Sequence, residues 1–149
     1  MMLTAYRLSL RQYASRAFLG EGARKAGGRW NPRGTSAVYT SATLSLAALE
    51  FLVHFSGPQD APELVSFSIR FDSKLVSELE LPQHWRRLKR VETRALGRAW
   101  LEANHTPMLR VPSFVIPTEN NFVLNPGHPK FGKVKIEGPK EFVLDERLY

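Results

Sequence analysis

A single acid interrupts the most apolar stretch of this sequence. In residues 41–58, SATLSLAALEFLVHFSGP, every position from Leu44 to Val53 is apolar, small or serine except Glu50. Good helix formers fill the stretch, Ser41 or Thr43 stands in front as a cap and Gly57-Pro58 behind as a stop, so the pattern predicts a helix of about three turns. A helix that is apolar nearly all round is expected to be buried, and burial makes its one carboxylate the residue to explain.

The flanking segments supply what encloses it. Residues 36–40, SAVYT, are β-prone and predict a short strand, while ELVSFSIRF at 63–71 alternates strictly, with Val65, Phe67, Ile69 and Phe71 on one face of a half-buried strand. RVETRALGRAWLEANHTP predicts a second, amphipathic helix carrying Val91, Ala95, Leu96, Ala99, Trp100 and Ala103 on its apolar side. MLRVPSFVIP, NNFVLNP and KEFVLDERL are β-rich but punctuated by Pro112, Pro117, Pro126 and Pro139, which confines their strands to edges or bends. The expectation is an α+β fold, sheet-dominated in its second half, in one compact domain over residues 1–149.

Charge and composition close several routes. With no cysteine there is no disulfide framework, no thiolate nucleophile and no Cys-bearing zinc site. No run of 18 apolar residues occurs and MMLTAYRLSLRQY does not read as a secretory leader, so no membrane association and a cytoplasmic location are expected. A net charge of +7 calls for an acidic partner. The basic segment 84–98, HWRRLKRVETRALGR, sets six cations against the single acid Glu92, and reads either as a solvated surface or as a docking face. A nucleic-acid-binding module built on that segment is the alternative function.

Familiar site motifs fail. GEGARKAGG places Lys25 where a dinucleotide fingerprint requires glycine, no phosphate-cradling P-loop is present, and the four histidines lack ligand spacing, so no metal site is expected. What remains is a constellation: Arg29 and Trp30 in the glycine-bounded loop AGGRWNPRG, Tyr39 in the next strand, Glu50, and Ser113 in VPSFV. Each has a plain structural explanation, and Trp30 is assigned to the core. Asn31, Asn120, Asn121 and Asn125 are looser candidates that ordinary turn chemistry also explains, as is Glu119 as a second carboxylate.

Together these segments resemble the RES domain family. GARKAGGRWNPRGTSAVYTSATLSLAALEFLVH is similar to the family's signature, and the likeness continues through VPSFVIPTENNFVLNPGHPKF to FVLDERL. The resemblance implies an ADP-ribosyltransferase-like mixed β core with flanking helices. It implies NAD+ consumption, with NAD+ as substrate and no tightly bound cofactor, by the toxin of a bacterial toxin-antitoxin pair. It also implies a cognate antitoxin carrying a helix-turn-helix DNA-binding domain, no direct nucleic-acid binding by the toxin, and room for a homodimer within the complex. Ala26 departs from the pattern, which has an aromatic just before the Gly-Gly pair in many relatives, and a stacking contact is expected to be lost there.

The chemistry of the matching residues agrees. Glu50, Arg29 and Tyr39 are the expected catalytic residues, and Arg29, Tyr39, Ser113 and Asn31 the expected NAD+-binding ones. Nicotinamide leaves a cationic pyridinium as a neutral molecule, so its departure needs no acid; a carboxylate beneath the ribose stabilises the oxocarbenium-like state instead. A guanidinium grips pyrophosphate bidentately, a tyrosine ring stacks on nicotinamide, and a serine hydroxyl serves a phosphate or ribose edge.

Overall fold

The computed structural model describes residues 1–55 and 62–149, so the Gly57-Pro58 stop lies outside the described residues. In chain order the elements are β1 (Met2–Leu10), α1 (Glu21–Ala26), β2 (Val38–Ser41), α2 (Leu44–His54), β3 (Leu64–Asp72), β4 (Val76–Glu78), α3 (Arg90–Ala103), β5 (Met108–Pro112), β6 (Asn120–Leu124) and β7 (Lys135–Phe142). The strands form one seven-stranded sheet in the order β4-β5-β6-β2-β1-β3-β7. Only β4 and β5 run parallel; the other pairs are antiparallel, which makes the single domain an α+β fold with a mixed sheet.

Successive strand residues point to opposite faces, and that alternation builds two cores. Met108, Phe122 and Leu124 join Ala5, Val38, Ile69 and Phe71 on one side of the sheet. Leu109, Val111 and Val123 join Trp30, Ala37 and Trp100 on the other, beneath α3. Trp30, 3% exposed, is a core residue as expected.

Several boundaries differ from the sequence pattern for local reasons. Of the two cap candidates for α2, Ser41 ends β2 and Thr43 is the cap, its Oγ1 accepting the Leu46 N–H at 3.1 Å. The helix α2 is not buried all round: Leu46 and Ala47 are buried, but Leu49 is 37% exposed and Val53, which borders a cleft, 61%. In α3 the inward stripe is Thr93, Gly97 and Trp100, while Val91, Ala95 and Ala99 face solvent. The rotation follows from Gly97, where a Cβ would lie 1.5 Å from the Trp30 carbonyl oxygen, so only glycine lets the helix sit directly on the loop before β2. The third β-rich segment is also displaced: β7 ends at Phe142, and Val143 is exposed. β1, which the pattern did not signal, sits between β2 and β3 and pairs with β3 from Met2↔Asp72 to Leu10↔Leu64. Among the described residues, no helix is long and apolar enough to cross a membrane.

Candidate active site

The loop from Gly27 to Gly34 is fastened by a dense set of hydrogen bonds. Asn31 is fully buried beneath it, its Nδ2 donating to the carbonyls of Ala23, Pro32 and Thr35 at 2.9–3.2 Å. The Tyr39 hydroxyl donates to Asn31 Oδ1 at 2.6 Å and accepts the Trp30 N–H at 3.0 Å. Gly28 makes room for this, since a Cβ there would lie 2.4 Å from the Tyr39 oxygen. From above, Thr93 Oγ1 donates to the Arg29 carbonyl at 2.5 Å and Arg94 Nε to the Gly28 carbonyl at 2.7 Å. Every one of these bonds fastens the backbone or a scaffold side chain, and none engages the Arg29 guanidinium.

That guanidinium lies over the Phe114 ring, its Cζ 3.8 Å from the centroid. Phe114 is braced edge-on by Trp85 at 5.2 Å and by Trp30 at 6.3 Å. Burial, and then the nearby Arg90 cation, hold Arg29 below the usual arginine value. Burial pushes the Tyr39 phenol up to about 12, which keeps the proton it donates to Asn31.

One cleft of about 640 Å³ takes its walls from Arg29, Tyr39 and Glu50 together. The volume suits a small organic ligand. Glu50 reaches it from α2, with Oε2 accepting from Ser113 Oγ at 3.3 Å and from Asn121 Nδ2. Arg7 and Arg90 also line the cleft, and among the described residues neither they nor Arg29 forms an ion pair. Arg7 donates to the carbonyls of Ala17 and Tyr39 at 2.8 and 2.9 Å, and burial pushes its guanidinium down to about 10, still a cation at neutral pH. The cleft wall therefore combines one carboxylate with three guanidiniums that form no ion pair among the described residues.

A family model described as "RES domain" matches residues 4–145. The chain belongs to the RES domain family. A "Toxin Res" of Yersinia enterocolitica is 38% identical to this RES domain over 154 residues, covering 99% of both chains. A "Prs ADP-ribosylating toxin" of Sphingobium sp. is 30% identical over 146 residues, covering 93% of this chain and 90% of its own. The crystal structure of the Mycobacterium tuberculosis MbcT-MbcA toxin-antitoxin complex contains a chain with the same fold, with a TM-score of 0.72 at 18% identity over 96% of this chain and 85% of that one.

Within this RES domain two of the expected ligand contacts are placed elsewhere. Asn31 is 0% exposed with its amide fully engaged, so it shapes the loop and does not reach the cleft. Ser113 is likewise 0% exposed; its oxygen accepts the Val115 and Ile116 N–H groups at 3.0 Å each and its hydrogen goes to Glu50, behind the cleft wall. Ala26 does line the cleft. Among the looser candidates only Asn121 borders it: Glu119 accepts from Thr43 at 3.3 Å on the surface, Asn120 is exposed, and Asn125 closes a turn by accepting the Gly127 N–H at 3.0 Å.

The basic segment divides. Arg94 holds the loop, Arg90 enters the cleft, and Glu92 accepts the Lys89 N–H at 3.1 Å to start α3. Arg86, Arg87, Lys89 and Arg98 remain on the surface. Arg7 and Arg90 are the site residues that sequence reasoning missed. The first sits in a strand with no apolar alternation to announce it, and the second was hidden among its charged neighbours.

Proposed function

We propose that this protein is the toxin of a toxin-antitoxin pair and acts by consuming NAD+, breaking the bond between nicotinamide and ribose. The observation that carries this is the shared cleft, whose walls bring one half-buried carboxylate on α2 together with guanidiniums that form no ion pair among the described residues. A dinucleotide has the matching parts: a diphosphate for the guanidiniums, and next to it a ribose that becomes positively charged as its base departs.

In this reading Arg29 and Arg7 hold the diphosphate by charge-assisted hydrogen bonds. Tyr39, its ring fixed by two hydrogen bonds at the hydroxyl, is a static wall for the nicotinamide ring. Glu50 sits beneath the ribose. As the C–N bond breaks, its electron pair neutralises the pyridinium and the anomeric carbon becomes electron-poor; the carboxylate stabilises that charge until an acceptor's lone pair closes on the carbon and the acceptor's proton passes to solvent. A preorganised group of this kind contributes on the order of 3 kcal/mol, about a hundredfold in rate. Water, phosphate or a protein side chain all satisfy the acceptor's part, giving hydrolysis, phosphorolysis or ADP-ribosyl transfer.

The names of the relatives support the toxin assignment, and the fold shared with a chain of a toxin-antitoxin complex supports a cognate antitoxin. That antitoxin is expected to carry the helix-turn-helix domain, with the toxin free of direct nucleic-acid contact and able to pair with a second copy in the complex. Free toxin in the cytoplasm would lower cellular NAD+ and stop growth.

Nicotinamide release from NAD+ by purified protein, by Glu50→Ala and by Arg86→Ala/Arg87→Ala tests the proposal. Turnover lost only with Glu50→Ala is the expected result. No turnover, with salt-sensitive binding to DNA or RNA through the surface arginines, would favour the nucleic-acid module. Binding of NAD+ without release would make the protein a sensor.

A further inference from the structure

The two oxygens of Glu50 are in different situations. Oε2 receives both protein donors, the hydroxyl of Ser113 and the amide of Asn121, whereas among the described residues no donor reaches Oε1. The Ser113 hydroxyl has no choice of direction, because its oxygen already accepts two backbone N–H groups and its hydrogen is left for Glu50. Asn121 is fixed in a second way. Its backbone lies in β6 between two strands, paired with Ser41 of β2 and Val111 of β5. Its amide is oriented by the Ser41 hydroxyl, which donates to Oδ1 at 2.8 Å and so turns Nδ2 toward the carboxylate.

We propose that Asn121, aimed by Ser41, is a positioning residue that saturates one oxygen of Glu50 and leaves the other as the only one available to substrate. Glu50 is on a helix flanked by the cleft, and three side-chain torsions separate its carboxylate from the backbone. Without a fixed donor on Oε2 the group samples several orientations, and the charge no longer sits where the ribose develops its own. Asn121 borders the cleft and acts through the carboxylate it binds, so its removal should lower turnover more than ground-state affinity, which the guanidiniums supply. This inference rests on the proposed NAD+ cleavage for its kinetic consequence, but the hydrogen-bond relay stands independently of it.

The two are separated by pairing kinetics with a measurement that needs no NAD+. Asn121→Asp keeps the shape and the acceptor for Ser41 but sets a carboxylate oxygen against Glu50 Oε2. The expected result is a kcat for nicotinamide release reduced about 100-fold with KM within about threefold, since misplacing a catalytic group costs on that order. Asn121→Ala should fall on the same side. Ser41→Ala, which frees the amide to turn, should lower kcat by about three- to tenfold. In the free protein, the side-chain amide protons of Asn121 are followed by nitrogen-edited NMR: one is expected well downfield and slow to exchange, and to lose both properties in Glu50→Ala. An Asn121→Asp enzyme within twofold of wild type in kcat, or an amide resonance indifferent to Glu50→Ala, would overturn the proposal. A perturbed amide in a protein that releases no nicotinamide would uphold the relay and reject the NAD+ chemistry.

Discussion

Removing one oxygen atom from Tyr39 separates what its hydroxyl does from what its ring does. In Tyr39→Phe the ring remains at the cleft wall, but the Trp30 N–H and Asn31 Oδ1 lose the partner they hold at 3.0 and 2.6 Å. Asn31 is 0% and Trp30 3% exposed, so bulk water does not replace it. A buried polar group left unsatisfied costs about 1–3 kcal/mol, which for the pair gives roughly 2–4 kcal/mol once local adjustment is allowed. In a domain of this size each kcal/mol moves Tm by about 2–4 °C, so the midpoint should fall by roughly 5–15 °C. The deficit has a pH signature. The phenol's value is raised from 10.0 to about 12, so the native state keeps a proton that the unfolded chain gives up between those values. Tyr39's contribution is therefore full below about pH 10 and is lost as pH rises to about 12, where the variant's disadvantage should narrow. Circular-dichroism melts from pH 7 upward, with absorbance titration of the four tyrosines, make the measurement. The highest-titrating phenol should vanish in the variant. A midpoint within about 2 °C of wild type at pH 7 would refute the assignment of the hydroxyl to the loop scaffold.

Three further outcomes follow from the same geometry. Gly97→Ala drives a methyl into the Trp30 carbonyl, and lifting α3 away breaks the Thr93 and Arg94 bonds; a drop of more than about 10 °C in Tm, with activity lost alongside it, is expected in thermal melts. Phe114→Ala removes the ring under Arg29 while Phe114→Tyr keeps it; steady-state kinetics should show the KM for NAD+ raised about three- to tenfold in the first and near wild type in the second, as a cation–π contact of about 1 kcal/mol requires. Arg7→Met should raise KM by about 10- to 100-fold with a smaller effect on kcat, the loss typical of a charge-assisted bond to phosphate.

How much of this was legible beforehand varies with the kind of signal. β3 was readable because its apolar face is strictly alternate, and α2 because a cap and a run of helix formers coincide. The inward face of α3 was not, since it turns on a glycine rather than on the largest apolar side chains, and only the position of the Trp30 carbonyl reveals why. Arg29, Tyr39 and Glu50 could be singled out from the loop, the strand and the helix that carry them, and they do meet in one cleft. Asn31 and Ser113 were singled out with them but lie behind that surface: residue type announces a polar partner without saying whether the partner is a ligand or the protein itself. Arg7 and Arg90 are defined by packing between distant segments, which no spacing in the chain encodes; Asn121 stood among the looser amide candidates, but nothing in the spacing told it from Asn120 and Asn125.

Glu50→Gln keeps the side chain's size and its hydrogen-bonding reach while removing the charge on which NAD+ cleavage would depend. NAD+ binding by calorimetry and nicotinamide release by chromatography are measured on the same preparation. Dissociation constants within about threefold of each other are expected for variant and wild type, with release slowed about a hundredfold or more in the variant. Equal release from both proteins, or none from either while NAD+ is bound, would contradict it.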